Sequence, residues 1–216
     1  MCRRGLLLRQ DLPGCMLSTR RDQGAGRLAM NVLSVLSTLA VTGIVVVFGD
    51  VGEAAADVAI GPGPTNYTEQ PQPPPGTCRY RSAANSQTLP DPNCTPGAIC
   101  PKVTPDTLAT TICRTGYTKS IRPPASITEI EKRENAAAYG YTGSLKDVEY
   151  DHLVPLELGG DPNDPRNLWI EPGASPNPKD GVESGLHELV CEGRVPLDAA
   201  QQAIATDWTT ALDTLR

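Results

Sequence analysis

The stretch of this sequence that most constrains its fate is a block from Asn31 to Phe48, almost uncharged and rich in Val, Leu and Ile. It follows a leader carrying Arg3, Arg4, Arg9, Arg20, Arg21 and Arg27, and it precedes Glu53-Ala54-Ala55-Ala56-Asp57. A basic leader, an apolar stretch and a small-residue A-x-A site are the parts of a secretory signal. The block is also near the length that spans a bilayer, so an uncleaved anchor over residues 31–48 is the rival reading. On either reading the basic flank stays in the cytoplasm and the remainder of the chain is carried outside. The expectation is a secreted or extracytoplasmic protein that touches a membrane only through its N-terminal segment.

Residues 61–76 read GPGPTNYTEQPQPPPG. Prolines at this density block helix and weaken strand pairing, which predicts an extended tether with little to bury. The organisation expected is therefore a signal or anchor over 1–56, a Pro/Gly-rich linker over 57–76 and one domain over 77–216, an ordinary size for a single core. Cys2 and Cys15 belong to the leader, and Cys78, Cys94, Cys100, Cys113 and Cys191 remain for a compartment that permits disulfides. No C-x2-C pair is present, so staples are expected in place of zinc knuckles. The expected pairs are Cys94 with Cys100 and Cys113 with Cys191, leaving Cys78 free.

Within the domain, residues 79–117 are rich in Pro, Thr, Asn and Gly and predict loops and short strands. Ser126-Ile127-Thr128-Glu129 has capping-box form and opens a helix to Tyr139, closed by Gly140. Val148 to Leu158 and Asn167 to Ile170 are two apolar segments around a Gly/Asp/Pro/Asn-rich turn, a hairpin with an extended tip. Asn177 is placed to cap a following helix, with Pro178 in its first turn and Asp180 near the positive end of its dipole. A last helix covers 197–215, with Ile204, Trp208, Leu212 and Leu215 on one stripe. The order is helix, hairpin, helix, helix, with Trp169 and Trp208 in the core.

The chain has two histidines, His152 and His187. Asp151 and His152 are neighbours on a strand, so they point to opposite sides unless the strand bends. Glu183 and His187 lie four apart on a helix and share a face. A helix crossing the hairpin would bring that face over Asp151, and two carboxylates with an imidazole bind a divalent cation. His152 is then free as a base, suited by its ordinary pKa to take a proton from water.

Asp151-His152-Leu153-Val154-Pro155-Leu156-x-x-Gly159-Gly160, followed by Asp164-Pro165-x-Asn167-Leu168, resembles the core of HNH (ββα-metal) endonucleases. The continuation Lys179-Asp180-x-x-Glu183-x-x-x-His187-x-x-Val190-Cys191 resembles an exported actinobacterial branch of HNH-like proteins. The likeness runs from about Asp91 to Trp208, and its catalytic motifs from Asp151 to His187. It implies an α+β fold with a small ββα-metal core of hairpin and helix, flanking helices and a disulfide-braced, loop-rich N-terminal part. It also implies roles. Asp151 and His187, with Glu183 as helper, hold the metal (Mg, Mn or Zn). His152 activates water, Asn167 orients His152, and Lys179 and Arg166 hold substrate phosphate. The paired Cys-x-x-Cys knuckles of many HNH domains are missing here.

The implied function is an exported, metal-dependent nuclease acting on nucleic acid, DNA ahead of RNA, with an immunity protein as a candidate second partner. The composition pulls the other way: 25 Asp and Glu against 19 Lys and Arg give a net charge of -6. Affinity for nucleic acid comes chiefly from basic residues on phosphates, so weak, transient binding is expected. A non-catalytic extracellular binding module on the same scaffold is the alternative.

Overall fold

The computed structural model describes residues 57–216, and the apolar block, the A-x-A alanines, Cys2 and Cys15 lie outside the described residues. Ala59–Ile60 (β1) begins the described chain, followed by short strands Arg81–Ser82 (β2), Thr88–Leu89 (β3) and Ala98–Ile99 (β4). A 3-10 turn over Pro105–Thr110 leads to helices Tyr117–Ile121 (α1) and Ala125–Ala138 (α2). The hairpin strands are Val148–His152 (β5) and Leu168–Pro172 (β6), and helices Pro178–Cys191 (α3) and Leu197–Leu215 (α4) complete the order. The architecture is mixed α/β, with small two-stranded sheets and helices. β1 pairs parallel with β4, β2 antiparallel with β3, and β5 antiparallel with β6. Among the described residues no helix is long and apolar enough to cross a membrane.

The hairpin is buried on both sides. Its register opposes Tyr150 to Ile170, Asp151 to Trp169 and His152 to Leu168. Val148 and Ile170 pack with Ala136 of α2, and Trp169 joins the larger core with Leu153, Val154, Leu186, Ile204 and Trp208. Trp169 and Trp208 are core residues, as expected; Trp208 donates from its indole to the Thr88 carbonyl at 3.0 Å. Each such side chain removed from water contributes about 1.5–3 kcal/mol. Polar ties lock α2 to the hairpin: the Ile170 amide donates to Asn135 Oδ1 (2.9 Å) and Lys132 Nζ to the Val148 carbonyl (2.7 Å).

Three local expectations change. α2 starts at Ala125 with Pro124 as its N-cap and no side-chain cap bond, so the Ser126 capping box does not form. The proline pair Pro123-Pro124 sets the extended entry and starts the helix two residues early. The disulfides are Cys78–Cys94 and Cys113–Cys191, which leaves Cys100 free and buried. Cys100 is instead part of the core beside β4, where its amide donates to the Gly159 carbonyl at 2.8 Å. α4 is interrupted at Asp207, whose carboxylate accepts from the Thr209 amide (2.9 Å) and caps the second half. Asn177 caps α3 as expected, accepting from the Lys179 amide at 2.8 Å, while Asp180 accepts from the Asn177 amide at 2.7 Å.

The Pro-rich segment is laid along the domain as a strap. Its prolines offer no amide donors, so few ladder bonds form and side chains of the domain do the docking. The Gly63 amide donates to Asp161 Oδ2 (2.6 Å), Asn163 Nδ2 to the Thr68 carbonyl (2.8 Å), the Gln70 amide to Glu131 Oε1 (2.8 Å), and the Tyr67 hydroxyl to the Ile121 carbonyl. Glu131 is fully buried and its Oε2 has no partner.

Burial pushes the Glu131 carboxyl up from 4.5 to about 7. A carboxyl raised on folding adds stability that is complete below its unfolded pKa and lost as pH rises through the folded one. Melting temperature therefore falls between pH 4.5 and about 7 through this group. Glu131→Gln should remove that slope and stabilise the protein at higher pH by about 1–3 kcal/mol, read from urea melts at several pH values.

Candidate functional site

The site is assembled where β5 ends and the hairpin tip folds back. After His152 the chain passes through a 3-10 turn at Leu156–Leu158 to Gly159-Gly160. Gly159 has φ 76°, the left-handed region that glycine occupies without strain. At Gly160 a Cβ would lie 1.7 Å from the Val154 carbonyl oxygen and 2.8 Å from Asn167 Nδ2, so no side chain fits. Both glycines of the motif are thus demanded by the return of the tip onto its base.

Asn167 holds that return. Its Oδ1 accepts from the Val154 amide (3.0 Å) and the Ala98 amide (3.3 Å), and its Nδ2 donates to the Val154 carbonyl (2.9 Å) and the Asp161 carbonyl (3.0 Å). The asparagine is fully buried, and every polar atom of its amide is used. One residue beyond Asp161, the Pro162 carbonyl lies 3.0 Å from His152 Nε2. A carbonyl can only accept, so Nε2 carries the proton and Nδ1 keeps its lone pair. Asn167 therefore orients His152 through the backbone of the tip.

His152 is 6% exposed. Burial is the main cause that lowers its pKa to about 4, outweighing the neighbouring Asp151 carboxylate, with Arg122 and Lys179 adding to the fall. The ring is neutral at ordinary pH. It lines a cleft of about 390 Å³ shared with Arg122, Thr128, Lys132, Glu149 and Ser175.

On the opposite face of β5, Asp151 meets a buried ammonium. Lys179 is 1% exposed and donates to Asp151 Oδ2 (2.6 Å), to the His152 carbonyl (2.8 Å) and to Glu183 Oε1. Its three protons are all used. Burial acts to lower the Lys179 pKa, but the Asp151, Glu183 and Glu171 carboxylates outweigh it and raise it. Burial likewise acts to raise Asp151, yet Lys179 holds it below the usual range. Glu183 and Glu171 are both raised, first by burial and then, against the pull of Lys179, by the Asp151 charge.

The predicted site residues separate accordingly. Asp151, Glu183 and Lys179 come together, and His152 with Asn167 stands behind them. His187 does not join: its Nε2 bonds the Ile112 carbonyl at 3.0 Å, one turn of α3 further along, in a small polar pocket with Glu157. Lys179 has no proton left for a substrate phosphate. Arg166 closes its fork on Asp164, from Nε at 2.9 Å and from Nη2 at 2.6 Å. Neither cation is free in the role expected of it. His187 does lie beside Cys113 and Cys191, with ligand atoms within 4.8 Å of one another, a group that could hold a metal ion. Joined as a disulfide, the two sulfurs offer no thiolate, so ligation there needs the reduced protein.

Glu149 and Glu171 were missed. They face each other directly across the hairpin, on the same side as Asp151. Like charges so opposed destabilise a strand pair, and Glu171 Oε2 is buried without a partner. The signal was legible: Glu149 and Asp151 alternate, so they share a face. An orphaned carboxylate oxygen beside two more carboxylates fits a hard, oxygen-seeking cation such as magnesium or manganese better than zinc. Arg122 was missed as well, because it lies outside the motif region, between Ile121 and Pro123.

Compared with known proteins, the chain matches no family model, no curated protein and no solved structure.

Removing the Asn167 amide leaves buried amides and carbonyls of the tip without partners. Asn167→Ala should cost about 2–5 kcal/mol in urea unfolding. A loss under about 0.5 kcal/mol would mean that water replaces the clamp.

Proposed function

We propose that this chain is an exported hydrolase of phosphodiester bonds, built on a ββα-metal scaffold like that of HNH endonucleases, with nucleic acid as substrate. The observation that carries the reading is the presentation of His152. Its Nε2 proton is bound by the Pro162 carbonyl, and Nδ1 has no partner among the described residues in a ring that lines an open cleft. A base for water needs an unshared lone pair, a fixed ring and room for substrate beside it. Burial, by lowering the pKa to about 4, makes His152 a weaker base than the ordinary imidazole expected from the sequence. Here Asn167 fixes the tip, the tip fixes the ring, and the cleft supplies the room.

Asp151, with Glu149 and Glu171, would hold a divalent cation on the opposite face of the hairpin from His152, with Glu149 alone of the three also lining the His152 cleft. Such an ion, when bound, neutralises charge on a scissile phosphate and its leaving oxygen. The chain's own residues do the rest. Lys179 keeps Asp151 ionised and fixed, and its bond to the His152 carbonyl pins the end of β5. His152 Nδ1 takes the proton of the attacking water, leaving an imidazolium whose Nε2–H still donates to the Pro162 carbonyl.

The two disulfides suit the oxidising compartment that export would reach. The reading of a non-catalytic extracellular module rests on Lys179, an ammonium that already occupies the place between Asp151 and Glu183.

Cleavage of plasmid DNA and of RNA by the purified, oxidised protein with magnesium or manganese separates the two. The hydrolase reading expects metal-dependent cleavage that chelator abolishes and that His152→Ala lowers at least about 100-fold. Folded protein that cuts neither substrate with either metal would leave the binding module standing.

A further inference from the structure

We propose that Arg122, together with the N-terminal turn of α2, forms the subsite that grips a phosphate of the substrate beside His152. The proposal deepens the hydrolase reading, since it names the ligand of that same cleft, but its central test is binding and needs no turnover.

Arg122 is held in place by its neighbours. Ile121 and Pro123 on either side are buried, and the Ile121 carbonyl is bound by the Tyr67 hydroxyl of the strap. The backbone at Arg122 is extended (φ -69°, ψ 131°), and its exposed side chain lines the cleft that His152 lines. It makes no hydrogen bond or ion pair among the described residues, whereas Arg166 is forked on Asp164, Lys132 is bound to Val148 and Lys179 is sealed in the interior. The Arg122 charge is felt at both His152 and Glu149, each of which shares the cleft with it. A free guanidinium fork matches two non-bridging oxygens of a phosphodiester.

The α2 terminus supplies further donors. Pro124 gives no side-chain cap, and the Ile127 and Thr128 amides both turn to the Pro124 carbonyl. The Ala125 and Ser126 amides are thus left without an intrahelical acceptor, and Ala125 lines the cleft together with Thr128. A 14-residue helix presents a positive dipole end there. His152 marks the same place as a ligand site independently: it is nine-tenths buried, and its Nδ1 makes no hydrogen bond among the described residues. Guanidinium, helix amides and base converge on one cleft, and an anion that offers oxygens to the first two lies next to the third.

The probe is a fluorescein-labelled single-stranded oligonucleotide, titrated by anisotropy at low salt with the full chain carrying His152→Ala so that nothing is cut. Adding Arg122→Gln should weaken binding about 10-fold or more, and Arg122→Lys should fall between, keeping charge without the fork. Arg194→Gln, which removes an exposed charge far along the sequence, should leave affinity within about twofold. In the His152 protein with a cleavable substrate, Arg122→Gln should raise KM while kcat stays within about threefold. Arg122→Gln binding as tightly as its parent would overturn the proposal. So would equal losses from Arg122→Gln and Arg194→Gln, or no binding by the parent. Arg122-dependent binding without any cleavage by the unmodified chain would sink the hydrolase reading and leave the subsite standing.

Discussion

One buried amide holds the candidate site in shape. Asn167 uses both its oxygen and its nitrogen to join β4, the second residue after the end of β5 and the far side of the tip, through Ala98, Val154 and Asp161. The ring of His152 is oriented through that joint: the Asp161 carbonyl fixes the tip, the tip presents the Pro162 carbonyl, and that carbonyl selects the tautomer. The strap reinforces the same loop from outside, through Gly63 on Asp161 and Thr68 on Asn163. A segment with the composition of a tether has thereby become part of the scaffold.

The hairpin divides its chemistry between two faces. One carries Glu149, Asp151 and Glu171 with Lys179 sealed against Asp151, the other presents His152 beside α2, and Glu149 reaches the edge of the His152 cleft as well. Lys179 compensates Asp151, while burial and the Asp151 charge raise the carboxyls of Glu149, Glu171 and Glu183, so a cation bound among them would have to displace protons. The Cys113–Cys191 disulfide ties the end of α3 to the segment ahead of α1, so the helix that carries Lys179 is fixed at its C-terminus as well as by its Asn177 cap.

What the sequence made legible was local. Asn177, Pro178 and Asp180 announced the start of α3, because a cap is decided by neighbouring residues. Asn167 and the Gly159-Gly160 pair stand in the motif where backbone geometry needs them. Most of the failures were long-range, although the Ser126 capping box, the break at Asp207 and the Arg166–Asp164 pair are local. Whether Glu183 or His187 turns toward Asp151 depends on where α3 crosses the hairpin. Whether Cys94 closes on Cys78 or Cys100 depends on a loop path that spacing does not encode. Arg166 looked free until its own neighbour Asp164 took it, and Lys179 looked exposed because lysine is so seldom buried. Arg122, some thirty residues before the motif, reaches the cleft only through the packing of α1 and α2.

The account stands on His152 being a neutral imidazole with its proton on Nε2 and its lone pair on Nδ1. Nitrogen-15 NMR of the two histidine rings reads this directly, with His187→Gln identifying the signals of His152. The predicted result is a protonated Nε2 and a bare Nδ1 that persist from about pH 8 down to about pH 5, titrating only near pH 4. A ring that titrates near its ordinary 6.5, or that carries its proton on Nδ1, would contradict the arrangement from which the proposed chemistry is derived.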